Sequence, residues 1–387
     1  MPILNRVNEM QEEIAGWRRH LHQTPELLYD VEETAAFAAG KLKAFGCDVV
    51  RTGIGRTGVV GLIKGSRGEG PVIGLRADMD ALPIHEISGK PWASRTPGKM
   101  HACGHDGHTA MLLGAAKYLS ETRNFRGAIA VIFQPAEEGG AGGEAMVKDG
   151  MMETFAIREV YGMHNRPGLS VGEFATRKGP TMAAADHFEI VVHGHGGHAA
   201  RPHTTIDPVI ISVQIITGLQ LISSRETNPL ESVVVTVASM HAGTANNIIP
   251  ETATLTGTVR TLSPDLRDRA EKRVAEIVTG IASSFGARAE VSYHRGYPVT
   301  RNHDEPTERA IEIMKKVAGK NAVDPNAPPV MGAEDFSYML EARPGAFVFI
   351  GNGATADLHN AAYDFNDEAI PYGVSYWASL AETLLAA

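Results

Sequence analysis

The chain has 387 residues, 43% of them hydrophobic and 21% charged, with a formal net charge of −9. That length exceeds the roughly 250–300 residues at which a single core stops growing, so two domains are expected. The acidic balance disfavours a nucleic-acid surface, no stretch approaches the roughly 18 apolar residues of a membrane span, and the N-terminus lacks a signal-peptide pattern. With Cys47 and Cys103 the only cysteines, a disulfide framework is excluded, which fits a reducing, cytoplasmic setting.

Residues 3–42 read as helical, with Trp17, Leu21, Phe37 and Leu42 on an apolar face and Pro25 as a break. Strand-like runs follow at 59–63 and 72–75, then a helix at 109–119. The continuous apolar run 128–133 predicts a strand covered on both faces. A short helix at 144–148 and a strand at 159–163 complete an alternation that indicates an α/β domain. From Asp186 the pattern changes to strand 187–192, helix 207–224, strands 232–239 and 252–260, helix 264–284 and strand 288–293. This βαββαβ order has the size of a small ferredoxin-like domain. A buried-strand run at 347–350 restores the α/β character, so the smaller domain reads as an insertion. The expected division is 1–183 with 295–387 around an inserted 184–294.

Polar residues follow several of these strands. Asp78 and Asp80 come after the second, Glu137 and Glu138 after the run at 128–133, His164 after 159–163, and His359 after 347–350. In open α/β sheets the ligand crevice lies beyond the carboxyl ends of the strands, where residues distant in sequence can meet. The densest cluster is His101-Ala102-Cys103-Gly104-His105-Asp106-Gly107-His108. Cysteine, histidine and carboxylate side chains are metal ligands, and in an extended loop Cys103 and His105 could approach one ion or a close pair. The bland alternative is a helix-entry loop with capping histidines.

Neighbouring side chains in extended backbone point opposite ways. One of Glu137 and Glu138 can therefore bind metal while the other serves as a base, although such a pair also occurs as a solvated strand end. Asp78 could orient a metal-bound histidine or be an ordinary turn aspartate. The run Gly139–Gly143 lacks the Lys-Ser/Thr ending of a P-loop and reads as a strand-to-helix turn. In the inserted domain His198 lies in the histidine-rich loop 194–203, and a histidine there could donate to an oxyanion or simply face water. Arg260 could hold a substrate carboxylate or form a structural salt bridge.

Taken together, Leu75–Pro83, His101–His108, Gln134–Glu138, Gly162–His164 and Gly332–Phe336 resemble the dinuclear metallopeptidase and aminoacylase family. The nearest branch comprises hippurate hydrolases, N-acyl-amino-acid amidohydrolases and auxin-amino-acid hydrolases. The resemblance runs from Arg18 to Asn360. It implies an α/β catalytic domain with a mostly parallel sheet flanked by helices, and a ferredoxin-like insertion acting as lid and dimerisation domain.

The resemblance also implies two divalent ions per subunit, held by Cys103, His105, Glu138, His164 and His359. Glu137 would be general base and acid, and Asp78 outer support. His198 would meet the substrate carbonyl in its own or a partner's site, with Asn247 and Arg260 as substrate contacts. Where many relatives have a histidine ligand, this chain has Arg76, which cannot ligate; with a soft thiolate in the set, zinc, manganese, cobalt and nickel all stay open.

The expected activity is hydrolysis of the amide bond of small N-acyl-amino acids by a cytoplasmic homodimer or homotetramer, with no nucleic-acid or membrane partner. The rivals are N-acetyldiaminopimelate deacetylase or dipeptidase chemistry on the same scaffold, a cysteine-nucleophile hydrolase using Cys103, and a catalytically silent binding protein.

Overall fold

A computed structural model describes residues 3–386. The chain forms two units: Met1–Thr181 with Arg301–Pro328 and Asp335–Ala387, and Met182–Thr300 with Pro329–Glu334.

The first unit is built on an eight-stranded sheet. Its order is Val49–Ile54, Gly58–Lys64, Ala128–Gln134, Val72–Asp78, Ile157–Pro167, Gly345–Gly353, Phe174–Ala175 and Val323–Asp324. The central strands, from Ala128–Gln134 to Gly345–Gly353, run parallel. Ala128–Gln134 is buried at every position, as its uninterrupted apolar run predicts. Val72–Asp78 is buried from Ile73 onward and so carries Arg76 and Asp78 into the interior. The helix His105–Thr122 packs on this strand and against the helices Gln11–Gln23 and Ile370–Leu384. Met111, Leu112, Val131, Phe133, Tyr376 and Trp377 belong to the core that results.

Two elements run further than their periodicity indicates. The helix expected at 109–119 begins at His105, so His105, Asp106 and His108 are helical and not part of an extended loop. Gly104 immediately before it is left-handed (φ +88°), the turn that lets Cys103 and His105 lie close together. The strand expected at 159–163 spans Ile157–Pro167 and includes His164, because parallel pairing to Gly345–Gly353 continues past Met163.

The second unit has a four-stranded antiparallel sheet in the order Val233–Ala242, Thr252–Thr261, Ala184–His193, Arg288–Arg295. Buried and less buried residues alternate along Thr252–Thr261, the mark of a sheet covered on one face. The helices Pro208–Leu219 and Pro264–Ser284 contribute Ile211, Ile215, Leu219, Val274 and Val278 to its core. Asp207 starts the first of these helices by accepting from the Val209 N–H at 2.9 Å, with Pro208 behind it. Among the described residues one segment, Pro208–Glu226, is long and apolar enough to cross a bilayer by length and composition, which corrects the expectation that no stretch approaches a span. Its Ile211, Ile215, Leu219 and Ile222 are core residues of the second unit.

Candidate metal centre

The four central strands of the first unit are parallel, so the segments that follow them gather at one end of the sheet. Cys103 and His105 come from the start of the helix beside Val72–Asp78, Glu137 and Glu138 follow Ala128–Gln134, His164 sits on Ile157–Pro167, and His359 follows Gly345–Gly353. The structure brings all of them together. Cys103 Sγ lies 3.4 Å from His164 Nε2. Glu138 Oε1 lies 3.3 Å from His359 Nε2 and 3.9 Å from His105 Nε2. The ligand atoms of Cys103, Glu138 and His359 fall within 4.8 Å of one another, as do those of His105, Glu137 and Glu138.

Hydrogen bonds assign the ring nitrogens. His105 Nδ1 faces the Asp80 carbonyl at 2.7 Å and His164 Nδ1 faces the Asn165 carbonyl at 2.6 Å. A carbonyl only accepts, so each Nδ1 carries a proton and each Nε2 is the nitrogen left to face inward, where it can bind a cation once it has no proton. His105 Nε2 is buried and has no hydrogen-bond partner among the described residues. A buried ring nitrogen without a hydrogen-bond partner is costly unless a ligand meets it. One sulfur, three imidazole nitrogens and one carboxylate suit a close pair of divalent cations.

The electrostatics point the same way. Burial raises the Cys103 thiol well above its usual range, and the carboxylates of Glu138, Glu137 and Asp78 raise it further. Burial would lower His105, but Asp78, Asp80 and Glu138 outweigh it and push its pKa up to about 10. Both shifts report a strongly negative interior, which draws cations and which cations would in turn discharge.

His108 is not part of the donor set. Asp78, His105, His108 and His164 also have ligand atoms within 4.8 Å of one another. Yet His108 Nε2 accepts the Asn165 N–H at 2.9 Å, and Nδ1 donates to Asp78 Oδ1 at 2.6 Å. Both of its nitrogens are committed. Asp78 is held from its other side by Arg76 Nη1 at 2.8 Å, and Arg76 also donates to Gln134 and Asp335. Burial would raise Asp78, but His105, His108 and Arg76 hold it well below the carboxylate range. Arg76 thus anchors the carboxylate behind the candidate ligands.

Sequence reading places Asp80 among the polar residues that follow the strands but assigns it no role in this site. Its two oxygens accept the backbone N–H groups of Glu137 and Glu138 at 2.9 and 3.0 Å. Its place two residues after Asp78 was the available signal. Ala136 before the pair and His359 both take left-handed backbone, φ +54° and +60°, a costly geometry for residues with side chains and one that gathers at functional sites. The glycine run behaves as the expected turn: the helix Gly142–Lys148 begins there, and the Gly143 N–H donates to Asp335 at 2.8 Å.

The remaining candidates lie in the second unit. His198 is exposed and pairs with Ile248 across a two-residue ladder, and the Ala199 N–H donates to the Asn247 carbonyl at 3.0 Å. His198 and Asn247 are therefore neighbours. Arg260 is half-buried on Thr252–Thr261 and forms no salt bridge among the described residues. The nearby Asp186 is taken by Arg267, Tyr293 and the Gly296 N–H.

The chain resembles known proteins over nearly its whole length. A hippurate hydrolase of Campylobacter jejuni is 41% identical over 381 residues, covering 98% of this chain and 99% of its own length. An N-acetyl-L-cysteine deacetylase of Bacillus subtilis is 42% identical over 365 residues, covering 94% and 86%. The crystal structure of Bacillus subtilis YXEP, described as a dinuclear metal binding peptidase, superposes with a TM-score of 0.85 at 35% identity and covers 98% of this chain and 99% of that one. Residues 74–383 match the profile of peptidase family M20/M25/M40. The chain belongs to that family.

Proposed function

We propose that the protein hydrolyses the amide bond of small N-acylated amino acids, hippurate-like or N-acetyl, at a pair of divalent cations held by Cys103, His105, Glu138, His164 and His359. The observation that carries this reading is the convergence of those five donors beside the buried Glu137 carboxylate. When bound, the cations supply Lewis acidity, polarising the amide carbonyl and acidifying water. Glu137 takes the proton of the attacking water and passes it to the departing nitrogen, so it starts and ends the cycle ionised. Asp80 holds its backbone in place, and Asp78 supports the histidines from outside.

In the second unit, His198 Nδ1 accepts the Ala200 N–H at 3.0 Å. Its proton therefore sits on Nε2, which supports a role as hydrogen-bond donor to the oxyanion. Arg260, with no salt bridge among the described residues, is assigned to the substrate carboxylate, and Asn247 to a further substrate contact. The strand Val233–Ala242 is an outer strand of its sheet, with no partner on its outer side among the described residues, and Ile210, Val213 and Val234 are exposed. These features support self-association through the second unit as a dimer or tetramer. We place the enzyme in the cytoplasm.

A cysteine-nucleophile mechanism fares worse. Such a thiol needs a depressed pKa, whereas burial and three carboxylates raise that of Cys103. The decisive experiment is metal analysis of the purified protein together with turnover of hippurate, N-acetyl-amino acids, N-acetyldiaminopimelate and dipeptides, with and without a strong chelator. Two equivalents of metal and chelator-sensitive hydrolysis of N-acyl substrates are expected. Activity that survives the chelator and dies on thiol alkylation would replace this reading with the cysteine mechanism.

A further inference from the structure

Behind the ligands of the first unit lies a pair of residues with no assigned role. Asn165 is 1% exposed and Tyr363 is fully buried. The Tyr363 hydroxyl donates to Asn165 Oδ1 at 2.7 Å. This turns the amide so that Nδ2 faces the other way, where it donates to the Cys103 carbonyl at 2.6 Å and approaches His108 Nε2 at 3.0 Å. The Asn165 backbone is engaged as well. Its carbonyl accepts from His164 Nδ1 at 2.6 Å, and its N–H donates to His108 Nε2 at 2.9 Å. One residue therefore touches the segment that carries the thiol, the ring that opposes the thiol, and the histidine that holds Asp78.

The fit around this pair is close. A Cβ at Gly104 would stand 2.3 Å from Asn165 Nδ2 and 2.5 Å from Tyr363 Oη. Only glycine lets the Cys103–His105 turn sit against the pair, and its left-handed φ of +88° is needed for the same turn. The partners are an amide and a phenol, both neutral. They orient donors without adding charge beside a site already crowded with carboxylates.

We infer that Asn165 and Tyr363 are positioning residues that set the separation and aim of the Cys103 thiol and the His164 imidazole. The 3.4 Å between Cys103 Sγ and His164 Nε2 is the spacing they maintain. Tyr363 fixes which way the amide faces, and the amide fixes the Cys103 loop relative to His164. The inference rests on the reading that Cys103 and His164 are metal ligands.

The test uses Tyr363→Phe, which removes one oxygen, and Asn165→Asp, which keeps the shape and loses the donor to the Cys103 carbonyl. Metal-free wild type and variants are titrated with Co²⁺ against a competing chelator. The thiolate-to-cobalt charge-transfer absorption is recorded, and thermal unfolding of the metal-free forms is measured in parallel. Wild type is expected to show the band. Both variants are expected to bind Co²⁺ roughly 10–100-fold more weakly, with a shifted or weakened band, the range seen when partners of metal ligands are removed. Metal-free Tyr363→Phe is expected to melt within a few degrees of wild type. Wild-type affinity and band in both variants would overturn the inference. So would a loss of affinity that only tracks lower stability while the band stays unchanged. A wild type that binds Co²⁺ without any thiolate band would overturn the ligand reading itself, and this inference with it.

Discussion

Two histidine- and glycine-rich stretches, 101–108 and 194–203, look alike in sequence and live in opposite surroundings. Every residue of 101–108 is buried, whereas no residue of 194–203 is. In the first, His105 and His108 have their Nδ1 protons claimed by Asp80 and Asp78, and Asp106 binds His22 at 2.8 Å. In the second, the exposed His198 ring has one hydrogen-bond partner among the described residues, the Ala200 N–H. A buried ring must have its tautomer settled by neighbours, because an unmet nitrogen there is costly. An exposed ring can turn toward whatever arrives. The contrast is one between donors fixed in advance and a donor left adaptable.

The largest effect expected on this contrast is on turnover. Glu137→Gln removes the proton carrier from the fixed region, and kcat should fall by about 10³-fold within the range ascribed to general acid–base groups. Metal content, measured on the same samples, should stay at the wild-type level. Near-normal turnover would show that the base lies elsewhere.

The next effect is on stability. Arg18, His22 and Asp106 form a fully buried charged cluster behind the helix start, with Arg18 also bonded to Asp367 at 2.7 Å. Asp106→Ala leaves two cations there without their shared anion. Denaturant unfolding should show a loss of about 3–5 kcal/mol, the usual cost of breaking a buried ion pair from one side. A loss under 1 kcal/mol would mean that the cluster is less dry than its burial indicates.

The same cluster makes stability depend on pH. Burial would lower His22, but Asp106 and Glu86 outweigh it and raise its pKa to about 9 from an ordinary value of 6.5. The folded state thus holds this proton more tightly than the unfolded chain. Its stabilisation is complete below pH 6.5 and is lost as pH rises through about 9. The total lost is on the order of 3 kcal/mol for a fully buried group, at about 1.4 kcal/mol per pH unit. Chemical denaturation across this window should show the decline, and His22→Gln should flatten it.

The smallest stability effect belongs to the exposed stretch. His198→Ala should change unfolding free energy by less than about 0.5 kcal/mol, as surface substitutions do. It should nevertheless lower kcat by about 10²-fold, the effect of deleting one oxyanion donor. A clear fall in stability with normal turnover would reverse the roles given to the two stretches.

Much of this was legible in the residues themselves. The apolar run 128–133 announced a fully covered strand, and the switch at Asp186 announced a second kind of architecture. The chemistry of Cys103, His105, Glu137 and Glu138 was legible because their residue types are unusual together. The start of the helix at His105 was not, since glycine at 104 suggests a loop until the side-chain amide of Asn165 and the hydroxyl of Tyr363 close around it. Asn165 and Tyr363 carry no signal of their own, because an asparagine and a tyrosine are ordinary residues until their neighbours are known.

Residue chemistry and periodicity, which are local, determined which side chains could donate to a cation and which segments would be strands or helices. Tertiary structure alone decided which nitrogens are free to do so. The Asn165 N–H reaches Nε2 of His108 and not that of His105, and the Asp80 carboxylate matters because Glu137 and Glu138 present their backbone to it. Hydrogen-bond saturation in a dry interior is a property of contacts between distant segments, and no local pattern contains it.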